Sequence, residues 1–330
     1  MAINFISIDV GGTFSRLRLQ YFQKGKLKTE NFQKAIDSKK QLFHLIETAI
    51  NNSPIKLDNA ICCVGFAGVI INENSVKMTN WSNSPTIELW ELHDLGLPKN
   101  YTKMVNDMEL AAFGCLGLSD DDFYPIYEPQ KIINKTENKL VIAPGTGFGT
   151  AFIVSKKGEQ PTVISSEIQH SQIPFIDEIH GEIYKIILAK YSDKGFLNFE
   201  DFVSGKGLED VYLAILEFKN QPEIKKKAAE IAKEAIQKTD EYAVQSLGYF
   251  YRCVARLAQV MSLFCSPLGG IFICGSSTIK NQKFIKKSNF LTEYFNCEIR
   301  DELLKQVPIY LVTKPDINIV GGLSICQGMI

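Results

Sequence analysis

The chain has 330 residues, of which 45% are hydrophobic and 22% charged, and a formal net charge of 36 − 37 = −1. That is the composition of an ordinary globular protein, and it excludes a disordered or collagen-like chain. At roughly 100–200 residues per domain the length suggests about two domains, and a charge this close to zero gives no basis for non-specific attraction to nucleic acid or anionic membrane.

Ile3–Val10 is an Ile-rich apolar run that leads into Asp9-Val10-Gly11-Gly12-Thr13, and Arg16–Phe22 alternates close to period 2. Strand, Gly-Gly turn and strand predict a hairpin. Ser38 is placed to cap a helix through Ile50, with Leu42, Leu45, Ile46 and Ala49 on one face. Ala60–Val64 reads as a buried strand that breaks at Gly65-Phe66-Ala67-Gly68. Thr86 reads as the cap of a helix to about His93. Lys103–Val105 reads as a short strand that ends at Asn106-Asp107, ahead of a helix carrying Leu110, Ala111 and Ala112. Residues 120–137 lack periodicity and are expected to form a surface loop.

The second half opens with a strand at Lys139–Ala143, the turn Gly145-Thr146-Gly147-Phe148-Gly149 and a strand at Thr150–Val154. Helices are expected at about 177–189, 208–218, 223–238 and 240–265. Ile271–Cys274 and Ile309–Val312 read as buried strands, and Gly321-Gly322 to Gln327 as a final helix. Strands alternating with helices mean α/β, and two Gly-rich strand–turn–strand units suggest two related lobes divided just after Asn106-Asp107.

The eight cysteines show no Cys-x-x-Cys spacing and mostly lie in apolar runs, so they read as reduced core residues. The lysine runs 225–227 and 286–287 read as solvated helix faces. The N-terminal residues carry no basic segment before an apolar stretch, which predicts no signal peptide. No window reaches the ~18 apolar residues of a spanning helix. The expected compartment is the cytoplasm.

Several motifs could carry chemistry. Asp9 followed by Gly11, Gly12 and Thr13 can hold a metal and offer backbone amides to phosphate oxygens, or can simply be a hairpin turn. Gly145–Gly149 is a second such turn; it is neither a Walker loop nor Gly-x-Gly-x-x-Gly. A carboxylate at Asp107, beyond a strand end, can take a proton from a hydroxyl; it can equally cap the following helix. Glu167 and His170, three apart, suit sugar hydroxyls at least as well as a metal, and Glu200 leads into Val203-Ser204-Gly205-Lys206-Gly207-Leu208. His44, His93 and His180 sit in helical patterns with no partner signal.

In order and spacing these residues resemble the bacterial glucokinase family, within the superfamily of sugar kinases, actin and related ATPases. The resemblance spans essentially the whole chain: Asp9–Thr13, Gly65–Gly68, Thr79-Asn80, Asn106-Asp107, Gly145–Gly149, Glu167 with His170, Val203–Leu208, Gly269–Gly275 and Gly321-Gly322. It implies an α/β, two-lobed ribonuclease-H-like (actin-like ATPase) fold with an interlobe cleft. The small lobe would comprise 1–107 with 313–330 and the large lobe 108–312. The implied activity is ATP-dependent phosphorylation of a hexose 6-hydroxyl, with glucose as the first candidate. By the same resemblance Asp107 looks like the general base. Asn80, Asn106, Asp107, Glu167, His170 and Glu200 look like sugar ligands. Asp9, Gly11, Gly12, Thr13, Gly145, Thr146 and Gly147 look like the phosphate side, and Gly275 and Gly321 like the adenosine side. Asp9 would meet Mg²⁺ carried by ATP. The implied partners are hexose and ATP, not nucleic acid or membrane, and a homodimer is a state the resemblance allows.

The chain departs from the family pattern in three places. The usual Glu-Gly-Gly-His reads Glu167-Ile168-Gln169-His170, which opens the choice of sugar. Ser-Gly-Pro-Gly reads Ser204-Gly205-Lys206-Gly207, and Gly-Gly reads Gly275-Ser276. The Cys-x-Cys zinc cluster of the other large group of bacterial sugar kinases has no counterpart, so no structural zinc is expected. A non-catalytic sugar or nucleotide sensor on the same fold, and a kinase for another hexose or an amino sugar, remain as alternatives.

Overall fold

A computed structural model of the chain describes residues 3–12, 14–54, 57, 60–79, 81–130 and 136–329. The chain divides into two compact units, Met1–Asp120 with Asp316–Ile330, and Asp121–Pro315.

In the first unit, β1 (Asn4–Val10) and β2 (Phe14–Gln23) form the expected hairpin, closing with Val10 opposite Ser15. β3 (Lys26–Ala35) extends it, and α1 (Lys39–Asn51) follows. β4 (Ala60–Phe66) then runs parallel to β1. A small antiparallel sheet comprises β5 (Gly68–Ile71), β6 (Ser75–Met78) and β7 (Thr86–Glu88). α2 (Leu89–Asp94), β8 (Thr102–Asn106) and α3 (Asp107–Leu116) complete this stretch. Thr86 therefore opens a strand rather than a helix. The helix starts after Glu88, whose backbone N–H donates to Glu91 Oε2 at 2.9 Å. A glutamate three residues into the helix supplies that bond, so the helix starts there.

The second unit begins with β9 (Phe123–Tyr127), inside the stretch expected to be a loop. Pro125 obscures its pattern, but a sheet edge tolerates proline. The Phe123 ring packs 4.5 Å from Tyr310, centroid to centroid. Next come β10 (Lys139–Pro144), β11 (Phe148–Val154) and β12 (Thr162–Ser166). The helices α4 (Glu178–Ala189), α5 (Gly205–Phe218), α6 (Ala228–Gln237) and α7 (Glu241–Cys265) form the bulk of the unit. β13 (Ile271–Ile273), four short helices α8 (Ser276–Lys280), α9 (Gln282–Lys287), α10 (Phe290–Tyr294) and α11 (Asp301–Leu304), and β14 (Ile309–Val312) end it. α6 starts later than expected, and Lys226 lies outside it, bonded to Glu234 at 2.5 Å and Asp240 at 2.7 Å.

α12 (Ile317–Gly328) belongs to the first unit. The five-stranded sheet there has the order β3-β2-β1-β4-β8, and the second unit repeats that order as β12-β11-β10-β13-β14, with β9 on its edge. In each, an antiparallel meander of three strands is followed by two parallel strands.

Alternation along a strand sends neighbouring side chains to opposite faces. In the first unit Ile6, Ile8, Cys62 and Val64 join one core, while Ile61, Cys63 and Val105 meet Leu110, Ile325 and Cys326 in another. There α12 and α3 touch at close range: a Cβ at Gly321 would lie 1.8 Å from the Leu110 carbonyl oxygen. All the cysteines are free thiols, buried except for half-buried Cys297. Among the described residues no helix is long and apolar enough to cross a membrane.

Candidate functional site

Asp9 stands near the end of β1 and is only 3% exposed. Oδ1 accepts from Asn318 Nδ2 at 3.0 Å and Oδ2 from Arg16 Nη1 at 3.3 Å. Burial pushes its carboxyl above the usual range, against the pull of these two donors. Arg16 is its direct cross-strand partner; the hairpin register could have revealed it, since opposite residues on one face meet. Asn318 is 309 positions away and left no local signal. Gly11 closes the turn with its N–H on the Phe14 carbonyl at 3.1 Å. Gly12 is half-buried. Thr13 and Asn80 lie outside the described residues.

Asn106 and Asp107 sit where β8 passes directly into α3. Asn106 is the cap: its Oδ1 accepts from Met108 N at 2.8 Å, and its Nδ2 donates to the Gly68 carbonyl at 3.1 Å. A short amide at a helix start satisfies one of the orphaned first-turn donors. The capping role thus falls to Asn106, and Asp107, half-buried, is the first residue of the helix. Gly321 is buried against α3, and close helix packing accounts for its missing side chain.

In the second unit the turn at 145–149 connects β10 to β11. Gly145 N donates to the Gly147 carbonyl at 2.8 Å, and Gly205 N donates to the Gly145 carbonyl at 3.1 Å. Thr146 occupies the bend between them. Glu200 reaches this turn: its Oε2 accepts from Phe148 N at 2.8 Å. Its own N–H donates to the Gln169 carbonyl at 3.3 Å. Glu167 precedes a short 3₁₀ turn, Ile168–His170, and His170 ends it, with His170 Nε2 3.3 Å from Glu167 Oε2; their side chains are 51% and 62% exposed for His170 and Glu167 respectively. Glu167, His170 and Glu200 are therefore brought together with the glycine turn through Gln169. Lys206 pairs with Asp210 one helical turn on. Gly275 begins α8 with φ +122°, a conformation that favours glycine.

Carboxylates and an imidazole presented to solvent beside a turn of backbone amides can accept from sugar hydroxyls and approach phosphate oxygens. No group of three or more His, Cys, Asp or Glu side chains able to hold a metal occurs among the described residues.

A family model described as Glucokinase matches residues 6–329. The glucokinase of Trichormus variabilis is 25% identical over 343 residues, covering 95% of this chain and 96% of that protein. The crystal structure of Balamuthia mandrillaris glucokinase in complex with glucose superposes with a TM-score of 0.87 at 22% identity, over 99% of this chain and 94% of that one. A ROK family glucokinase from Streptomyces griseus, solved with glucose and AMPPNP, has a TM-score of 0.63 at 16% identity, over 98% and 99% of the two chains. These structures share the two-unit, actin-like α/β fold. The chain belongs to the glucokinase family of hexose kinases.

Proposed function

We propose that this kinase transfers the γ-phosphoryl group of ATP to the 6-hydroxyl of a hexose, glucose first among them, with Asp107 as general base. Asp107 takes the hydroxyl proton as the O6–P bond forms and the bond to the β-phosphate oxygen breaks, releasing ADP. Such transfer asks the protein mainly for positioning and charge stabilisation. Glu167, His170 and Glu200 are the proposed hydroxyl ligands, and the turns at 9–13 and 145–149 the phosphate loops, with Gly275 towards the adenosine. Asn106 can add a contact through the amide proton and lone pair left over from its two structural bonds.

Asp9 is a fitting acidic group for Mg²⁺ that arrives with ATP, since it is a buried carboxylate beside a glycine turn. The absence of a dedicated acidic cluster among the described residues also suits an ion held largely by phosphates and water. When bound, the ion would offset charge on the transferring phosphates. A cytoplasmic setting agrees with the free, largely buried thiols.

The observation that carries the reading is Glu200. Its carboxylate accepts from Phe148 N in the glycine turn, and its own main-chain N–H donates to the Gln169 carbonyl in the segment bearing Glu167 and His170. Sugar-type and phosphate-type elements thus share one hydrogen-bonded frame. Asp107→Ala tests the assignment of the base. It should lower kcat by at least a hundredfold without changing the melting temperature by more than a few degrees; near-wild-type turnover would refute it.

A further inference from the structure

Gln169 lies between the exposed Glu167 and His170, yet its side chain points away from solvent and is 4% exposed. Ile168 beside it packs on the core of the second unit. The bulk at these two positions is therefore largely absorbed by the protein interior.

A buried amide needs partners on both of its atoms. Gln169 Nε2 donates to Glu167 Oε2 at 2.6 Å, and its Oε1 lies 3.2 Å from the Thr150 hydroxyl. Thr150 is itself fully buried on β11, and its one hydroxyl proton is shared between Gln169 Oε1 and the Ser166 carbonyl at 3.0 Å. The carboxylate accepts only, so the amide orientation is fixed. His170 Nε2 approaches the same Glu167 oxygen, at 3.3 Å. Both contacts converge on Oε2, and Oε1 has no partner among the described residues.

We infer that Gln169 is a positioning residue that sets the sugar preference of this site. It holds the exposed Glu167 carboxylate in one orientation and leaves one oxygen, Oε1, turned to accept from a substrate hydroxyl. An exposed glutamate otherwise loses side-chain freedom on binding, which weakens the ligand contact. The Gln169 main-chain carbonyl accepts from Glu200 N at 3.3 Å, which ties the backbone of the two segments together. The inference rests on the reading of Glu167 as a sugar ligand.

The test compares wild type, Gln169→Leu and Gln169→Glu with glucose, its monodeoxy analogues and ATP. Gln169→Leu removes the donor at similar size. It should raise KM for glucose about tenfold and leave KM for ATP unchanged, and one monodeoxy sugar should show no difference between the two proteins. Gln169→Glu replaces the donor with an acceptor and sets two carboxylates against each other. Its glucose KM should rise at least as much as that of Gln169→Leu, again with KM for ATP unchanged. A Gln169→Leu protein with wild-type glucose KM but a lower melting temperature would overturn the inference, reducing Gln169 to a structural amide. A wild type that turns over no hexose would instead refute the functional reading. In that case a crystal structure of Gln169→Leu decides: the Glu167 carboxylate should leave the orientation that the 2.6 Å contact with Gln169 Nε2 holds, and an unchanged orientation would overturn the inference.

Discussion

The side-chain amide of Asn318 donates to Asp9 Oδ1 at 3.0 Å, tying the first turn of α12 to the end of β1. Asp9 is buried, and its folded-state carboxyl sits above the usual value because burial outweighs Asn318 and Arg16. A raised carboxyl contributes stability that is present below its unfolded value of 3.8 and is lost as pH rises through the folded one. At neutral pH its ionisation therefore opposes folding. Asp9→Asn should melt at or above wild type at pH 7.5 while losing kinase activity. Asn318→Ala should be less stable by about 1–3 kcal/mol, because it strips a donor from a buried charge. Thermal melts of both proteins check this; an Asp9→Asn protein several degrees less stable would contradict it.

Glycines at two of the family's motifs should respond in opposite ways. At Gly321 a Cβ would strike the Leu110 carbonyl oxygen. Gly321→Ala should cost at least about 1–3 kcal/mol, the range for overpacking. At Gly145 the nearest atom to a Cβ is 4.0 Å away. Gly145→Ala should keep the melting temperature and, on the proposed role of this turn as a phosphate loop, raise KM for ATP. Melting curves and ATP titrations of the two variants separate packing from ligand approach.

His180 is a buried titratable group outside the proposed chemistry. Its ring lies tilted against Phe202, 4.7 Å between centroids, and its Nδ1 accepts from Ile176 N at 3.3 Å. Burial, with Arg252 and Arg256 nearby, lowers its pKa from 6.5 to about 4 despite Asp177. The unfolded chain then binds the extra proton first, so stability falls as pH drops from about 6.5 to 4. This one group accounts for roughly 2–3 kcal/mol between pH 7 and 4.5. Urea denaturation at the two pH values should show a smaller loss for His180→Gln than for wild type; equal losses would contradict the assignment.

Glu167→Ala should raise KM for the sugar and leave KM for ATP near its original value. Steady-state titration of each substrate checks it, and an equal rise in both would remove Glu167 from the sugar contacts.

The two larger sheets were legible where the chain alternates or runs apolar between glycine turns, as in the β1–β2 and β10–β11 hairpins. β9 was not, because Pro125 interrupts its pattern and only the aromatic contact with Tyr310 reveals why it pairs. Asn106 and Asp107 could be placed from sequence at a strand end, but which of them caps α3 depends on side-chain geometry. The candidate ligands Glu167, His170 and Glu200 were visible as a motif. Gln169 was visible only as a departure, since its partner Thr150 lies on a neighbouring strand. Asn318 was not visible at all, because its bond to Asp9 closes across nearly the whole chain.

The central claim is hexose phosphorylation. Its most direct test is ADP release by the purified wild-type protein with ATP, Mg²⁺ and each of a set of sugars including glucose, mannose, fructose and glucosamine. Sugar-dependent turnover that yields the 6-phosphate of a hexose is the expected result. No sugar-stimulated ADP release with any of them, from a folded protein, would contradict the account.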